Sequence, residues 1–459
     1  MFKSTILTHS VFTRTQAWRH RVGAPETLGV GIIGLGVVGG GIVKILRDRQ
    51  DYFKSVHGID LDIRKIAVRD ISKQRSVEVD SALLTEDPEE VVNDKGIQIV
   101  VEVMGGIEPA RSYTLKALGA GKDVITANKA LLAEHGDELF NVASKNNAGI
   151  AFEASVCGGI PIIRSITQGL PANQISSLYG ILNGTTNYIL TKMSDEGGAF
   201  SEILVKAQEL GYAEADPTMD VDGTDAVQKL AILCRLAFGV SIPYRSILSE
   251  GITEVSSIDI AYAHDLGYTI KLLGIAKAGK RGLEARLHPV LVPQDALLAN
   301  IKDEFNAIEI VGDAAGPQVY TGRGAGALPT ASAVVSDLLY QAERRVAGRP
   351  GISRQLVDVR VTEPLAAEEV ETSYYCRFTV HDTPGVLAHI AEIFASHDIS
   401  IARVIQEGRS ETEGGSVPLI MTTHEASERA MQHARQEIAA LDVAKEPPQI
   451  IRIEMLNND

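Results

Sequence analysis

The feature that most constrains this chain is the segment Val30 to Gly39, where an apolar run passes directly into the glycine pattern Gly34-Leu35-Gly36-Val37-Val38-Gly39. An amphipathic stretch follows it and ends near Arg47. A strand that turns this tightly into a helix asks for a permissive backbone at Gly34, no side chain at Gly36, and close helix–strand packing at Gly39. The first N–H groups of such a helix carry partial positive charge and suit a pyrophosphate. The spacing G-x-G-x-x-G alone also describes a glycine-rich packing turn. Its flanking strand and helix are what point to a dinucleotide cradle at the first crossover of an α/β sheet.

The rest of the chain fits that class. Its 459 residues are about three times the ~150 of a common single domain, so two or three domains are expected. Short β-branched runs alternate with amphipathic stretches from Val30 onward, as in "IRKIAV", "IQIVVEVMGG" and "DVITAN", which predicts a parallel, right-handed sheet. The 42 glycines against 10 Phe and 1 Trp agree with many tight strand-to-helix turns. A formal charge of −15 argues against a broad nucleic-acid-binding face. No apolar run approaches the ~18 residues needed to span a membrane. Cys157, Cys234 and Cys376 are too few and too dispersed for a zinc cluster or a disulfide framework, which suits a reducing cytoplasm.

Five segments are expected. Residues 1–28 form a basic extension with Lys3, Arg14, Arg19 and Arg21 and no acid before Glu26, a composition shared by mitochondrial transit peptides and disordered tails. Residues 29–152 form the nucleotide domain, completed by 313–345, which contain the amphipathic stretch Thr330 to Arg344. Residues 153–312 have longer, mixed runs and form a second domain with its own sheet. Residues 346–372, rich in Gly, Pro and Glu, read as a linker. Residues 373–459 run strand, helix, strand, strand, helix, strand, the order of a split-βαβ sandwich.

Three places carry candidate chemistry. The second strand ends in Arg69, suited to a 2′-phosphate, followed by Asp70, which keeps NAD open beside NADP. Glu214, Asp216, Asp220, Asp222 and Asp225 lie close together before Lys229, without the ladder of a calcium loop. Asp225 and Lys229 are one helical turn apart, which fits a surface ion pair or a working pair. The surrounding helix is so apolar that burial is expected to lower the Lys229 pKa toward the range useful for proton transfer. Lys129 follows a strand end, where it either faces a ligand or is a first-turn surface residue beside an Asn128 cap. Cys157, on the glycine turn "SVCGG", reads as a buried bystander rather than a nucleophile. The dispersed histidines do not suggest zinc.

With these blocks in place, the chain resembles the homoserine dehydrogenase family with a C-terminal ACT domain. The resemblance rests on GLGVVG, VRD, VEVMGG, TANKALLA, FEASVCGGIPII, ILNGTTNYIL, the signature Ala207 to Lys229, GRGAGALPTASAVVSDL, and the ACT-like "HDTPGVLAHIAEIFASHDISIARVIQ". It implies a Rossmann-type doubly wound nucleotide domain, an α+β substrate and dimerisation domain, and a ferredoxin-like ACT domain. It also implies NAD(P)H-dependent interconversion of L-aspartate 4-semialdehyde and L-homoserine, in the route to threonine, methionine and isoleucine. Matching residues would be Lys229 as proton donor, Lys129 at the reaction site, and Glu214 and Asp225 on the substrate. The cofactor would be NADP, or NAD, on Gly34, Leu35, Gly36, Val37, Val38, Gly39, Arg69, Met104, Gly105, Lys129, Gly211 and Gly326. A monovalent cation, Na+ or K+, would sit on Glu153, Val156, Gly158 and Ile160. A homodimer or homotetramer is implied, with threonine as the expected effector at the ACT loop His381 to Gly385. Two rivals remain on the residues alone: an aspartate-semialdehyde dehydrogenase working through a cysteine thioester, and a catalytically silent amino-acid sensor.

Overall fold

The structure, a computed structural model, describes residues 24–352, 354–406 and 415–456. Lys3, Arg14, Arg19 and Arg21 of the basic extension lie outside the described residues. The chain divides into two compact units.

Among the described residues, the first unit comprises residues 24–127, then Leu139–Phe152 and Ala331–Ile352. Its six strands stand in the order Leu84–Thr85, Ile59–Ala67, Glu26–Ile33, Ile99–Glu102, Asp123–Thr126, Ile150–Ala151, and every pairing is parallel. Strands covered on both faces explain the unbroken apolar runs: Val30, Ile32, Ile99 and Val101 are fully buried. The order reverses between Glu26–Ile33 and Ile99–Glu102. Ligands of such sheets bind beyond the carboxyl ends of the strands at that reversal. The strand begins at Glu26 rather than at residue 29, because Glu26, Thr27 and Leu28 already pair with Ile59, Asp60 and Leu61.

Among the described residues, the second unit holds residues 128–138, 153–330, 354–406 and 415–456. Its core is an antiparallel run of strands in the order Gly316–Arg323, Phe305–Gly312, Ile175–Ile181, Tyr268–Gly279, Gly282–Pro293. Two expected boundaries move. Gly316–Arg323 pairs along its whole length with Phe305–Gly312, so residues 313–330 belong here, and only from Ala331 does the helix Ala327–Val346 count with the first unit. The expected linker is stitched down: Arg360–Val361 pairs with Val240–Ser241, and the Leu365 N–H donates to the Leu283 carbonyl at 2.8 Å.

The C-terminal module has the order Glu371–His381, Val386–Ser396, Ile401–Ile405, Ser416–Thr423, Glu428–Ala439, Gln449–Ile453. Its antiparallel sheet places the last strand beside the first and the third between the first and second. Its helices cover a core of Phe378, Ile390, Phe394, Leu419, Met431 and Ile438. This sheet is not separate. Gln449–Ile453 pairs in parallel with Gly282–Pro293 at Val290↔Arg452 and Leu291↔Ile453, fusing both into one eleven-stranded sheet.

Candidate active site

The glycine cradle has the geometry its sequence asks for. Gly34 takes φ +109°, and a Cβ at Gly39 would lie 2.3 Å from the Gly34 carbonyl oxygen. Gly36 caps the helix Val37–Val56 without any side-chain hydrogen bond, and a Cβ there would meet nothing within 4 Å. The first turn carries no acid. An open, uncapped helix start on a bare glycine fits a dinucleotide pyrophosphate. Beyond the neighbouring strand, Gly105 has φ +77°, and the Met104 N–H is held by the buried Glu102 carboxylate at 3.0 Å. The other oxygen of Glu102 accepts from the Thr126 hydroxyl at 2.6 Å, tying two strand ends together.

Beyond Ile59–Ala67, Asp70 is committed to its own turn. Its carboxylate accepts the Ser72 hydroxyl at 2.6 Å and the Ser72 N–H at 2.8 Å, which hold its pKa below the usual carboxylate range. Arg75 donates to the backbone carbonyls of Asp70, Ile71 and Lys73 and so braces the same turn. Arg69 stands exposed, with no hydrogen bond or ion pair among the described residues.

The second unit contains the titratable cluster. Gly223, at φ +89°, begins the helix Thr224–Phe238, which carries Asp225 and Lys229 on one face. They are not a surface pair: Asp225 is 8% exposed. Lys229 Nζ donates to Asp225 Oδ2 at 2.6 Å and to the Leu182 carbonyl at 2.7 Å. Lys129 Nζ stands 3.1 Å from the other carboxylate oxygen. Asn128 caps the helix Lys129–Lys145 by accepting the Leu131 N–H at 3.1 Å, so Lys129 is aimed from the helix start rather than lying on a free surface.

One aspartate thus lies between two ammonium groups, which settles its ionisation. Burial would push the Asp225 carboxyl up, but the charges of Lys229 and Lys129 outweigh it and hold the pKa at about 2. The expectation for Lys229 is overturned. Burial alone would lower its pKa, but the adjoining Asp225 charge dominates and raises it above the ordinary lysine value. The apolar helix that suggested a neutral lysine also buries the counter-ion that keeps it charged.

Two residues without an assigned role in the sequence reading complete this cluster. Asn183 donates to Asp225 Oδ2 at 2.9 Å and to Asp220 Oδ1 at 2.7 Å. Its own oxygen accepts the Thr186 N–H and caps the helix Gly184–Glu196. Asp220 is the further acid at the site, its carboxyl raised by burial. An asparagine directly before "GTTN" at a strand end was the available signal, since such residues cap helices. Glu214 is not drawn in: it is exposed, and its carboxylate makes no hydrogen bond or ion pair among the described residues.

Gly211, φ +76°, follows the helix Phe200–Glu209, and Gly326, φ +119°, precedes Ala327–Val346, both in the second unit with Lys129. Cys157 is buried, its Sγ 3.5 Å from the Asn306 amide nitrogen, and burial pushes its thiol up to about 11. That environment disfavours a thiolate nucleophile. The Glu153 carboxylate accepts the N–H groups of Ile163 and Arg164 at 2.7 and 3.0 Å, and the Ile160 carbonyl accepts from the Ile162 N–H. Among the described residues, the Val156 and Gly158 carbonyls accept no hydrogen bond. Two such oxygens suit a hard monovalent cation, whereas the Glu153 side chain is already engaged. No group of three or more His, Cys, Asp or Glu side chains capable of holding a metal occurs among the described residues.

Family models match along most of the chain: the homoserine dehydrogenase NAD-binding domain over residues 34–153, homoserine dehydrogenase over 161–339 and an ACT domain over 374–443. The chain belongs to the homoserine dehydrogenase family. It is 42% identical over 438 residues to the homoserine dehydrogenase of Neisseria gonorrhoeae, covering 94% of this chain and 100% of that protein. It is 41% identical over 435 residues to that of Pseudomonas aeruginosa, covering 93% and 99%. The crystal structure of a homoserine dehydrogenase from Thiobacillus denitrificans superposes with a TM-score of 0.89 at 42% identity, covering 95% of this chain and 100% of that one. A hyperthermophilic archaeal homoserine dehydrogenase in complex with NADPH superposes with a TM-score of 0.60 at 27% identity, covering 72% and 100%. The chain is therefore an oxidoreductase of this family with a nucleotide-binding domain of Rossmann type and a C-terminal ACT domain. No helix among the described residues is long and apolar enough to cross a membrane.

Proposed function

We propose that the enzyme reduces L-aspartate 4-semialdehyde to L-homoserine, with Lys229 as proton donor and NADPH as the preferred reductant. The observation that carries this reading is the Asp225 carboxylate shared between Lys129 and Lys229. When bound, the nicotinamide supplies the hydride. As the aldehyde oxygen gains negative charge, a charged Lys229 stabilises it and delivers a proton to it. Asp225 keeps that lysine protonated and aimed. Lys129 supplies a second cation at the site. Asp220 and Glu214 are the carboxylates available to the substrate ammonium, with Asn183 orienting the first. Arg69, free beside a committed Asp70, supports NADP over NAD, and the NADPH complex of the archaeal relative agrees with it.

The same reading includes a Na+ or K+ ion on the carbonyls of the Glu153–Ile160 turn and a homodimeric or homotetrameric enzyme of the cytoplasm. Three free, buried cysteines suit that compartment. Threonine is the proposed inhibitor through the ACT module. Gly385, φ +97°, starts the helix Val386–Ser396 without a side-chain cap, leaving N–H groups for a carboxylate. The deciding experiment follows NADPH oxidation with aspartate 4-semialdehyde, repeated with NADH, with and without threonine. Absence of semialdehyde-dependent oxidation with either nucleotide would refute the reaction. An unchanged rate in threonine would refute the effector alone.

A further inference from the structure

The loop Ser249 to Ile252 is gripped from two sides. On the ACT side, Arg452 of Gln449–Ile453 donates to both oxygens of Glu250 at 2.8 and 3.0 Å. Its Nε and Nη2 also donate to the two oxygens of Glu428 at 2.8 and 2.6 Å. On the catalytic side, a Cβ at Gly251 would lie 2.1 Å from the Val221 carbonyl oxygen, and the Ile252 N–H donates to that oxygen at 3.0 Å. The Glu250 N–H is held by the Leu287 carbonyl at 2.8 Å. A Cβ at Gly223 would lie 2.7 Å from the Leu287 side chain and 3.1 Å from the Ser249 hydroxyl. Gly223 begins the helix that bears Asp225 and Lys229.

We propose that the Arg452–Glu250 pair is a positioning element for the reaction, holding the loop against which the turn Val221 to Gly223 is packed and so setting how Asp225 and Lys229 are presented. A bidentate arginine–carboxylate pair fixes direction as well as distance. The turn has no slack, because both glycines are in contact with backbone or side chains where a Cβ would sit. Glu250 is 44% exposed at its side chain and borders a cleft of about 320 Å³, so it is not a carboxylate forced into place by burial. Arg452 has a second partner inside the ACT module, the buried Glu428 at the start of the helix Glu428–Ala439, and that pair holds the module together without touching the loop. The proposal rests on Asp225 and Lys229 being the working pair.

The test uses the full chain, the semialdehyde assay and thermal unfolding. Glu250→Gln is expected to lower kcat roughly tenfold or more while KM for NADPH is unchanged, because small misplacements of catalytic groups are costly. Glu250→Asp should restore part of the rate. Glu428→Gln should lower the thermal midpoint while keeping kcat. Wild-type kcat in Glu250→Gln would overturn the proposal, as would an equal loss of kcat in Glu428→Gln. Should Glu250→Gln misfold by circular dichroism, Arg452→Lys retains the charge without the fork. It should show the same kcat loss, and a wild-type rate there would equally overturn the idea. Wild-type activity in the same assay separates failure of the reaction reading from failure of the positioning role.

Discussion

Lys229 Nζ and Asp225 Oδ2 lie 2.6 Å apart on successive turns of one helix, both largely buried, and each sets the ionisation of the other. The raised Lys229 pKa means the lysine remains charged throughout the neutral range. Lys229→Ala is expected to reduce kcat by roughly two orders of magnitude or more, with nucleotide affinity retained. Steady-state kinetics and NADPH fluorescence titration check both halves. In the wild type, kcat should show no loss attributable to this lysine as pH rises from neutral toward the ordinary lysine value of 10.5. An unaltered kcat in the variant would remove Lys229 from the proton-transfer role.

Arg69 and Asp70 are neighbours with opposite commitments: the aspartate is bound by Ser72, and the arginine is free. Arg69→Ala should therefore weaken NADP binding by about tenfold or more while leaving NAD binding nearly unchanged, since only the 2′-phosphate loses a charge-assisted partner. Calorimetric titration of both nucleotides measures this. Equal losses would place the 2′-phosphate elsewhere.

His288 offers a pH prediction separate from catalysis. Arg286 can only donate, so its 2.7 Å contact makes His288 Nε2 an acceptor and leaves the proton on Nδ1, which donates to the Pro289 carbonyl at 2.9 Å. Burial first, then the charges of Arg452 and Arg286, drive its pKa well below 6.5. Below pH 6.5 the unfolded chain binds a proton at this histidine and the folded chain does not. Stability therefore falls as pH drops through that value, by up to about 1.4 kcal/mol per pH unit for one such group. The contribution of Asp225, whose pKa is depressed from 3.8 to about 2, is lost only at lower pH. Denaturant midpoints measured between pH ~6.5 and ~4.5 should show a shallower slope in His288→Gln. Equal slopes would exclude His288 as the source.

Removal of the chain beyond Ala347 is expected to cost stability, not only regulation. It would uncover Val290 and Leu291, both fully buried, and strip Glu454 from the buried Arg286. Loss of one partner of a buried pair typically costs about 3–5 kcal/mol, and Arg286 retains Glu284 to offset part of that. A thermal midpoint equal to that of the full chain would contradict the fused sheet. Regulation is better tested by point substitutions than by truncation.

Much of the protein was legible in local pattern. The cradle at Gly34 to Gly39, the alternation of strand and helix up to residue 152, and the split-βαβ order of the C-terminal module all follow from periodicities and turn chemistry that act over a few residues. The i, i+4 spacing of Asp225 and Lys229 likewise follows from helix geometry. These features need only the backbone's own rules.

Contacts distant in sequence were decided by the tertiary structure. The pKa of Lys229 depends on how deeply Asp225 is buried with it, and Lys129 and Asn183 reach that carboxylate from elements 96 and 42 residues away, at 3.1 and 2.9 Å. The membership of residues 313–330 depended on which strand Gly316–Arg323 pairs with, and edge pairing has no local signature. The same holds for the joining of Gln449–Ile453 to Gly282–Pro293. Sequence determined the elements and the residue types that do the chemistry. Only packing across the fold determined which charges face one another, because Coulomb interaction and desolvation depend on distance and burial in space, not on separation along the chain.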